Sequence, residues 1–265
     1  MYIERKLFSR IRINRPAVVL LHAFPVNHAM WEPQMQVLDE QGIPYVTLDY
    51  PGFGDSSPFE DMPTMDDYAS QVLKVMREAN ISRAILVGLS MGGYVALAVY
   101  RLAPQLVKGM VLADTRASAD TEEGRQKRFQ LIKQITESGN LDPLIQGHIE
   151  KFFTPEHQQN ERLVAIARRL MERATLTGVV HALHAMAHRP DSMALLPQMR
   201  FPVEVIVGEG DQLTTVTDSQ KMVDHLPEGN LTVIPNAAHL SNLEQPAAFN
   251  KALLAYLTKL GEFEF

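Results

Sequence analysis

Ser90 stands between two glycines in Gly88-Leu89-Ser90-Met91-Gly92, with Ile85-Leu86-Val87 before it and Tyr94-Val95-Ala96-Leu97-Ala98 after it. The first apolar run reads as a buried strand and the second as a buried helix. The serine therefore occupies a strand-to-helix turn of the form G-x-S-x-G. So tight a turn strains the serine backbone, and side chains at the two glycine positions would collide with the neighbouring strand and helix. The turn lifts Oγ above the sheet edge, where the free N–H groups of the following helix converge. That hydroxyl is a candidate nucleophile, provided a base takes its proton.

His239 is the candidate base, in Asn236-Ala237-Ala238-His239-Leu240-Ser241-Asn242 directly after the last strand. Loops at the carboxyl ends of parallel strands are where ligands meet such sheets. A histidine in this role needs a buried carboxylate to fix its tautomer and stabilise the imidazolium. Asp211, in Gly208-Glu209-Gly210-Asp211, is the first choice, with Asp114 and Glu209 as alternatives; Asp114 also ends a strand. The developing oxyanion needs two donors. The backbone N–H groups of Met91 and Phe24 are the candidates, and the small Ala23 lets the Phe24 loop come close. His22, Asp49 and the turn Pro51-Gly52-Phe53-Gly54 read as scaffold. The pattern calls for no cofactor and no metal.

These groups must be positioned by an alternating chain. Residues 3–13 suggest an edge strand or a short hairpin, and residues 17–21 a strand buried on both faces. A helix is expected over 30–41, a strand over 45–48, and a helix over 64–80 with Thr64 as N-cap and two aspartates in its first turn. After the elbow comes a strand over 107–113. From 116 to 196 only helical patterns appear, broken at Gly139-Asn140, Asp142-Pro143, Thr154-Pro155 and Arg189-Pro190-Asp191. Alternation then resumes with a strand over 203–207, a helix over 217–226, a strand over 231–234 and a helix from Pro246 to about 260. The expected architecture is a mostly parallel sheet covered by helices on both faces, with residues 1–115 and 197–265 as core and 116–196 as an inserted helical cap.

At 265 residues the chain can bury a sizeable core, and 46% hydrophobic with 21% charged residues argues against disorder. A net charge of -6 without a basic stripe disfavours nucleic acid and anionic membranes as partners. The absence of cysteine removes thiol nucleophiles and thiolate metal sites. No signal-like or membrane-spanning run is present, so a soluble cytoplasmic protein is expected.

The chain resembles the α/β-hydrolase superfamily over nearly its whole length. The resemblance is carried by His22-Ala23-Phe24-Pro25, Asp49-Tyr50-Pro51-Gly52-Phe53-Gly54-Asp55-Ser56, Gly88-Leu89-Ser90-Met91-Gly92-Gly93, Gly208-Glu209-Gly210-Asp211 and the stretch from His239 to Pro246. Within the superfamily it is most similar to small bacterial carboxylesterases and 3-oxoadipate enol-lactonase-like hydrolases. Two departures stand out: Ala23 replaces the usual glycine after the first histidine, and the glycine-rich hairpin before the first buried strand is missing. The resemblance implies an α/β-hydrolase fold and a serine hydrolase of small to medium, largely apolar esters or lactones. A carbon–carbon bond hydrolase of the same fold, or a ligand-binding protein with little turnover, is the alternative. The serine at the elbow excludes relatives that use aspartate there, the haloalkane dehalogenases and epoxide hydrolases.

Three further groupings carry possible chemistry. His181, His184 and His188 share one helix face, but lack a carboxylate at ligand spacing and read as part of a cap helix. Met171, Met186, Met193 and Met199 read as core packing of the helical block, with an adaptable apolar pocket as the alternative. Arg116 and Arg189, near the hinges of that block, are candidates for recognising a substrate carboxylate.

Overall fold

A computed structural model of the chain describes residues 3–6 and 15–263, and in it seven strands form one sheet. In chain order these are β1 (Ile3–Lys6), β2 (Ala17–Leu21), β3 (Tyr45–Leu48), β4 (Ala84–Leu89), β5 (Val107–Ala113), β6 (Val203–Gly208) and β7 (Gly229–Ile234). Their spatial order is β1-β3-β2-β4-β5-β6-β7, with β1 antiparallel to β3 and every other pairing parallel. The edge strand expected at the start is β1; the remainder of the expected strand or hairpin, residues 7–13, lies outside the described residues.

The helices are α1 (Glu32–Glu40), α2 (Met65–Glu78), α3 (Met91–Leu102), α4 (Glu122–Ser138), α5 (Asp142–Phe152), α6 (Glu161–Glu172), α7 (Leu176–Ala187), α8 (Val216–Val223), α9 (Ser241–Glu244) and α10 (Pro246–Lys259). Successive residues of β2 point to opposite layers, and all five are buried. Val19 and Leu21 belong to the buried cluster that includes Val72 of α2, Val95 of α3 and Met222 of α8, while Val18 and Leu20 belong to the one that includes Leu38 of α1 and Phe249 and Leu253 of α10. Period-two alternation thus feeds two cores, one on each face of the sheet.

Local chemistry sets the helix ends. Thr64 accepts from the Asp67 amide and the Asp67 carboxylate reaches back to the Thr64 amide, a reciprocal cap that starts α2. The helix expected over 30–41 begins later, at Glu32, after a 3-10 turn over His28–Trp31. Pro33 explains the delay, because its ring suits only the first turn of a helix. Between β5 and β6 the described chain holds no strand, only α4–α7 and short 3-10 turns. The expected breaks fall where α4, α5 and α7 begin or end. One break went unread: α6 stops at Glu172, and Thr175 caps α7 by accepting from the Gly178 amide at 3.0 Å.

Two close approaches tie the α4–α7 segment to the sheet domain. A Cβ placed on Gly52 would lie 2.3 Å from the Gly178 Cα, so only glycines allow this contact between the β3 loop and α7. Across the same seam the Thr175 amide donates to the Gly52 carbonyl at 2.8 Å, and Arg173 pairs with Asp55 at 2.5 Å. Among the described residues, no helix is long and apolar enough to cross a membrane.

The topology positions the site. The chain leaves β2 towards β3 on one side and returns to place β4 on the other, so the strand order reverses between β2 and β4. Crevices at the carboxyl ends of such strands receive ligands. His22–Phe24 follow β2 and Ser90 follows β4 at this point.

Candidate active site

Ser90 closes β4 and precedes α3 with φ 56° and ψ -113°, a left-handed φ that costs an L residue on the order of 1–3 kcal/mol. The surroundings hold it there. Its amide donates to the Ala113 carbonyl at 2.9 Å, and its carbonyl accepts from the Thr115 hydroxyl at 2.7 Å. Both glycines of the motif are required by contact. A Cβ on Gly92 would fall 2.0 Å from the Leu21 carbonyl oxygen, bringing α3 against the end of β2.

Three side chains distant in sequence meet here. His239 Nε2 lies 2.8 Å from Ser90 Oγ, and His239 Nδ1 lies 2.8 Å from Asp211 Oδ2. The carboxylate requires a proton on Nδ1, which leaves Nε2 free to accept from the serine hydroxyl. Asp211 is 5% exposed, and its oxygens also accept from the Leu213 amide at 2.8 Å, the Thr214 amide at 3.1 Å and the Thr214 hydroxyl at 2.5 Å. Burial alone would raise its pKa, but the His239 imidazole and these hydrogen bonds hold the carboxyl below its usual range. It is a carboxylate at neutral pH.

The two alternative acids sit elsewhere. Asp114, with φ 42°, accepts from the Gly208 amide at 2.8 Å and from the Ser241 hydroxyl. Burial first, and then the nearby Asp211 charge, push its pKa well above the usual carboxylate range, and its hydrogen bonds go to Gly208 and Ser241 and not to the imidazole. Glu209 is exposed.

The loop carrying His239 is fixed by a carboxylate the sequence reading did not single out. Glu244 of α9 accepts from the Ala238 amide at 2.6 Å and, with its other oxygen, from the Thr154 amide and hydroxyl, each at 2.7 Å. His157 also pairs with it at 2.8 Å. Glu244 therefore joins the loop after β7 to the segment after α5.

His22 is wholly buried; Nδ1 donates to the Ala23 carbonyl at 2.8 Å and Nε2 accepts from the Tyr50 amide at 3.0 Å. Burial lowers its pKa to about 4, so it is a neutral strut between the loops after β2 and β3. Asp49 is a second strut, accepting from the amide and the ring Nδ1 of His28, both at 2.8 Å. Both act as scaffold, as their loop placement suggests.

Above Ser90 lies a cavity of about 110 Å³. Phe24, Tyr94, Phe152, Met186 and Leu213 line its walls, and the Phe152 ring stacks on His239 at 6.1 Å. Met91, first residue of α3, has an amide N–H without an intrahelical acceptor. The polar lining comprises Ser90, His239, Thr214, Arg116, Arg128 and His148. Arg128 and His148 had no signal in the sequence, because helix pattern does not reveal which face of α4 or α5 meets the sheet. Arg189 does not line the cavity. Its guanidinium pairs with Asp120 at 2.7 Å and lies over the Tyr94 ring at 4.0 Å. Of the four methionines, Met186 alone lines the cavity, whereas Met171 and Met199 are wholly buried in the cores. The His184 and His188 rings lie 4.3 Å apart, tilted by 37°, and pack against Phe129. Among the described residues no three His, Asp or Glu side chains converge as metal ligands.

Comparison with known proteins agrees with this architecture. The chain is 30% identical to the 3-oxoadipate enol-lactonase 1 of Acinetobacter baylyi over 238 residues, covering 89% of this chain and 86% of that one. A thermophilic esterase from Thermogutta terrifontis superposes with a TM-score of 0.90 at 29% identity, covering 98% of this chain and 93% of its own. The enol-lactonase from Burkholderia xenovorans shares the fold, with a TM-score of 0.85 at 23% identity over 97% of this chain and 95% of its own. The model of the alpha/beta hydrolase family matches residues 18–252, and the chain belongs to that family.

Proposed function

We propose that the protein is a serine hydrolase that cleaves carboxylic esters or lactones through an acyl-enzyme. The observation that carries this reading is the unbroken chain of hydrogen bonds from Ser90 Oγ through His239 to Asp211. The esterase and enol-lactonase relatives support the same substrate chemistry.

In the first half-reaction His239 Nε2 takes the Ser90 proton as Oγ attacks the carbonyl carbon. Negative charge develops on the carbonyl oxygen, and the backbone N–H groups of Met91 and Phe24 are assigned to hold it. Asp211 stabilises the imidazolium. The carbon–oxygen bond breaks, and the imidazolium returns its proton to the leaving alkoxide; in a lactone that alkoxide stays attached. In the second half-reaction the same imidazole removes a proton from water, which attacks the acyl-enzyme and releases the acid with Ser90 regenerated. Residues 116–196 act as a cap over this chemistry and contribute Arg116, Arg128, His148, Phe152 and Met186 to the cavity.

The test is hydrolysis of short-chain p-nitrophenyl esters by the wild type and Ser90→Ala. The reading expects loss of all but a small residual rate in the variant, and equal rates would refute it. Mass spectrometry after phosphonate labelling identifies the nucleophile independently; an adduct on any residue but Ser90 moves the assignment.

A further inference from the structure

We propose that His148 selects among substrates: its Nε2 accepts a hydrogen bond from a hydroxyl or amide N–H that the substrate carries besides the ester or lactone group attacked by Ser90. The inference rests on the hydrolase reading and narrows its substrate class to hydroxy- or amido-substituted esters and lactones.

One contact fixes the tautomer. On α5, His148 Nδ1 lies 2.9 Å from the Leu144 carbonyl, which can only accept. The ring proton therefore sits on Nδ1, and Nε2 keeps its lone pair. With Nδ1 turned back onto its own helix, the far edge of the ring is what α5 presents to the cavity above Ser90, which His148 lines. Nε2 bonds no group among the described residues and is not sealed within protein. Packing holds the ring in place: its centroid is 5.7 Å from that of Phe24 and 5.5 Å from that of Phe152, both edge to face. Phe24 is assigned an oxyanion donor and Phe152 stacks on His239, so the imidazole is wedged between residues that flank the reacting groups.

The ring is neutral as well as oriented. Burial lowers its pKa to about 4, and the nearby positive groups of Lys151, His239 and Arg128 act in the same direction. At neutral pH Nε2 therefore accepts and does not donate. Other polar groups on the lining are engaged differently. Arg116 and Arg128 can only donate, the Thr214 hydroxyl gives its proton to Asp211, and Ser90 and His239 are bonded to each other. When an apolar acyl or alcohol group fills the cavity, the His148 acceptor is left unpaired; a group bearing O–H or N–H pairs it. A site built in this way rejects the analogue without the donor more strongly than an apolar pocket rejects a missing methylene. The apolar walls of Phe24, Phe152, Met186 and Leu213 accept the rest of the substrate.

Three substrate pairs that differ in one donor test the idea. They are p-nitrophenyl butyrate against p-nitrophenyl 3-hydroxybutyrate, γ-butyrolactone against α-hydroxy-γ-butyrolactone, and p-nitrophenyl levulinate against N-acetylglycine p-nitrophenyl ester. Each kcat/KM is divided by the rate constant for hydroxide-catalysed hydrolysis of the same compound, which removes intrinsic reactivity. In at least one pair the wild type is expected to favour the donor-bearing member by about tenfold or more. His148→Phe and His148→Leu, which lack the acceptor, should each bring that ratio to within about twofold of unity. His148→Gln places its Oε1 close to the Nε2 position and should keep about a third of the preference or more. The ratio does not depend on the amount of active protein, so a variant that folds poorly still reports. No preference in any pair, a preference that survives both His148→Phe and His148→Leu, or one that His148→Gln loses as completely as His148→Leu, overturns the inference while Ser90-dependent hydrolysis stands. A binding measurement separates the two readings. Calorimetric titration of Ser90→Ala should show about fivefold tighter binding of ethyl 3-hydroxybutyrate than of ethyl butyrate, or of N-acetylglycine ethyl ester than of ethyl levulinate, and adding His148→Leu should remove the difference. Equal affinities within both pairs overturn the inference whatever the turnover. Absence of Ser90-dependent hydrolysis of every ester and lactone overturns the hydrolase reading instead.

Discussion

Gly88 and Gly92 touch backbone to backbone: a Cβ on Gly88 would stand 2.3 Å from the Gly92 carbonyl oxygen. No flexible side chain is available to yield, so any substituent pushes α3 away from β4 and carries Ser90 with it. A displacement of about 1 Å at a reacting atom costs on the order of 100-fold. Gly88→Ala and Gly92→Ala are therefore expected to lower kcat by at least about tenfold. Gly147, inside α5, has nothing within 4 Å of its would-be Cβ. Gly147→Ala should leave the rate alone and raise stability by about 0.5–1 kcal/mol. Steady-state kinetics with p-nitrophenyl esters and urea denaturation read both outcomes.

Asp211 and Asp114 are shifted in opposite directions, and only Asp211 reaches the imidazole, so their asparagine variants should diverge. Asp211→Asn removes the charge that fixes the imidazole tautomer and is expected to lower kcat by roughly 1,000- to 10,000-fold. Asp114→Asn keeps the shape of the side chain. Its amide oxygen can accept from the Gly208 amide and its NH2 can donate to the Ser241 hydroxyl. A loss of less than about tenfold is expected, and the reverse ranking in kcat would transfer the acid role to Asp114.

His22 makes the fold sensitive to acid. It titrates near 4 when folded against a usual 6.5. Between those values the unfolded chain binds a proton that the folded protein does not. Stability therefore falls as pH drops from 6.5 towards 4, by up to about 1.4 kcal/mol per pH unit from this group. The Asp49 carboxyl is held below its usual value despite burial, chiefly by its bond from His28, so its contribution is lost only at lower pH. Urea denaturation at pH 7 and pH 5 should show the decline, and His22→Gln should reduce it by about half, because the buried His148 is shifted in the same way. An unchanged slope in the variant would show that other groups carry the effect.

Glu244 should matter for both stability and rate. Its carboxylate accepts from Ala238, Thr154 and His157, so Glu244→Ala leaves buried donors unpaired. A loss of about 3 kcal/mol or more is expected from this type of change. Because the Ala238 amide adjoins His239, kcat should fall as well. Glu244→Gln keeps an acceptor and should lose less on both measures.

The parts of the site readable from sequence are those written in short, local patterns. The elbow around Ser90, the strand-end positions of Asp211 and His239, and the loops at His22 and Asp49 all follow from fixed spacing beside a buried strand. What escaped depends on how α4–α7 pack on the sheet. Arg116, at the end of β5, lines the cavity together with Arg128 of α4, which carried no signal in the sequence, whereas Arg189 pairs with Asp120. The Asp120 carboxylate that holds Arg128 and Arg189 touches residues 8 and 69 positions away. The break between α6 and α7 was hidden for a similar reason. Glu172-Arg173-Ala174-Thr175 contains neither proline nor glycine, and what turns the chain is a tertiary contact, the Thr175 amide on the Gly52 carbonyl.

The glycine-to-glycine seam at Gly52 and Gly178 and the Glu244 clasp fasten the four-helix segment at two separate places. A roof nailed at two corners does not swing open as one piece. If the cavity above Ser90 changes its width, individual helices between these anchors have to shift, since the segment is held at both.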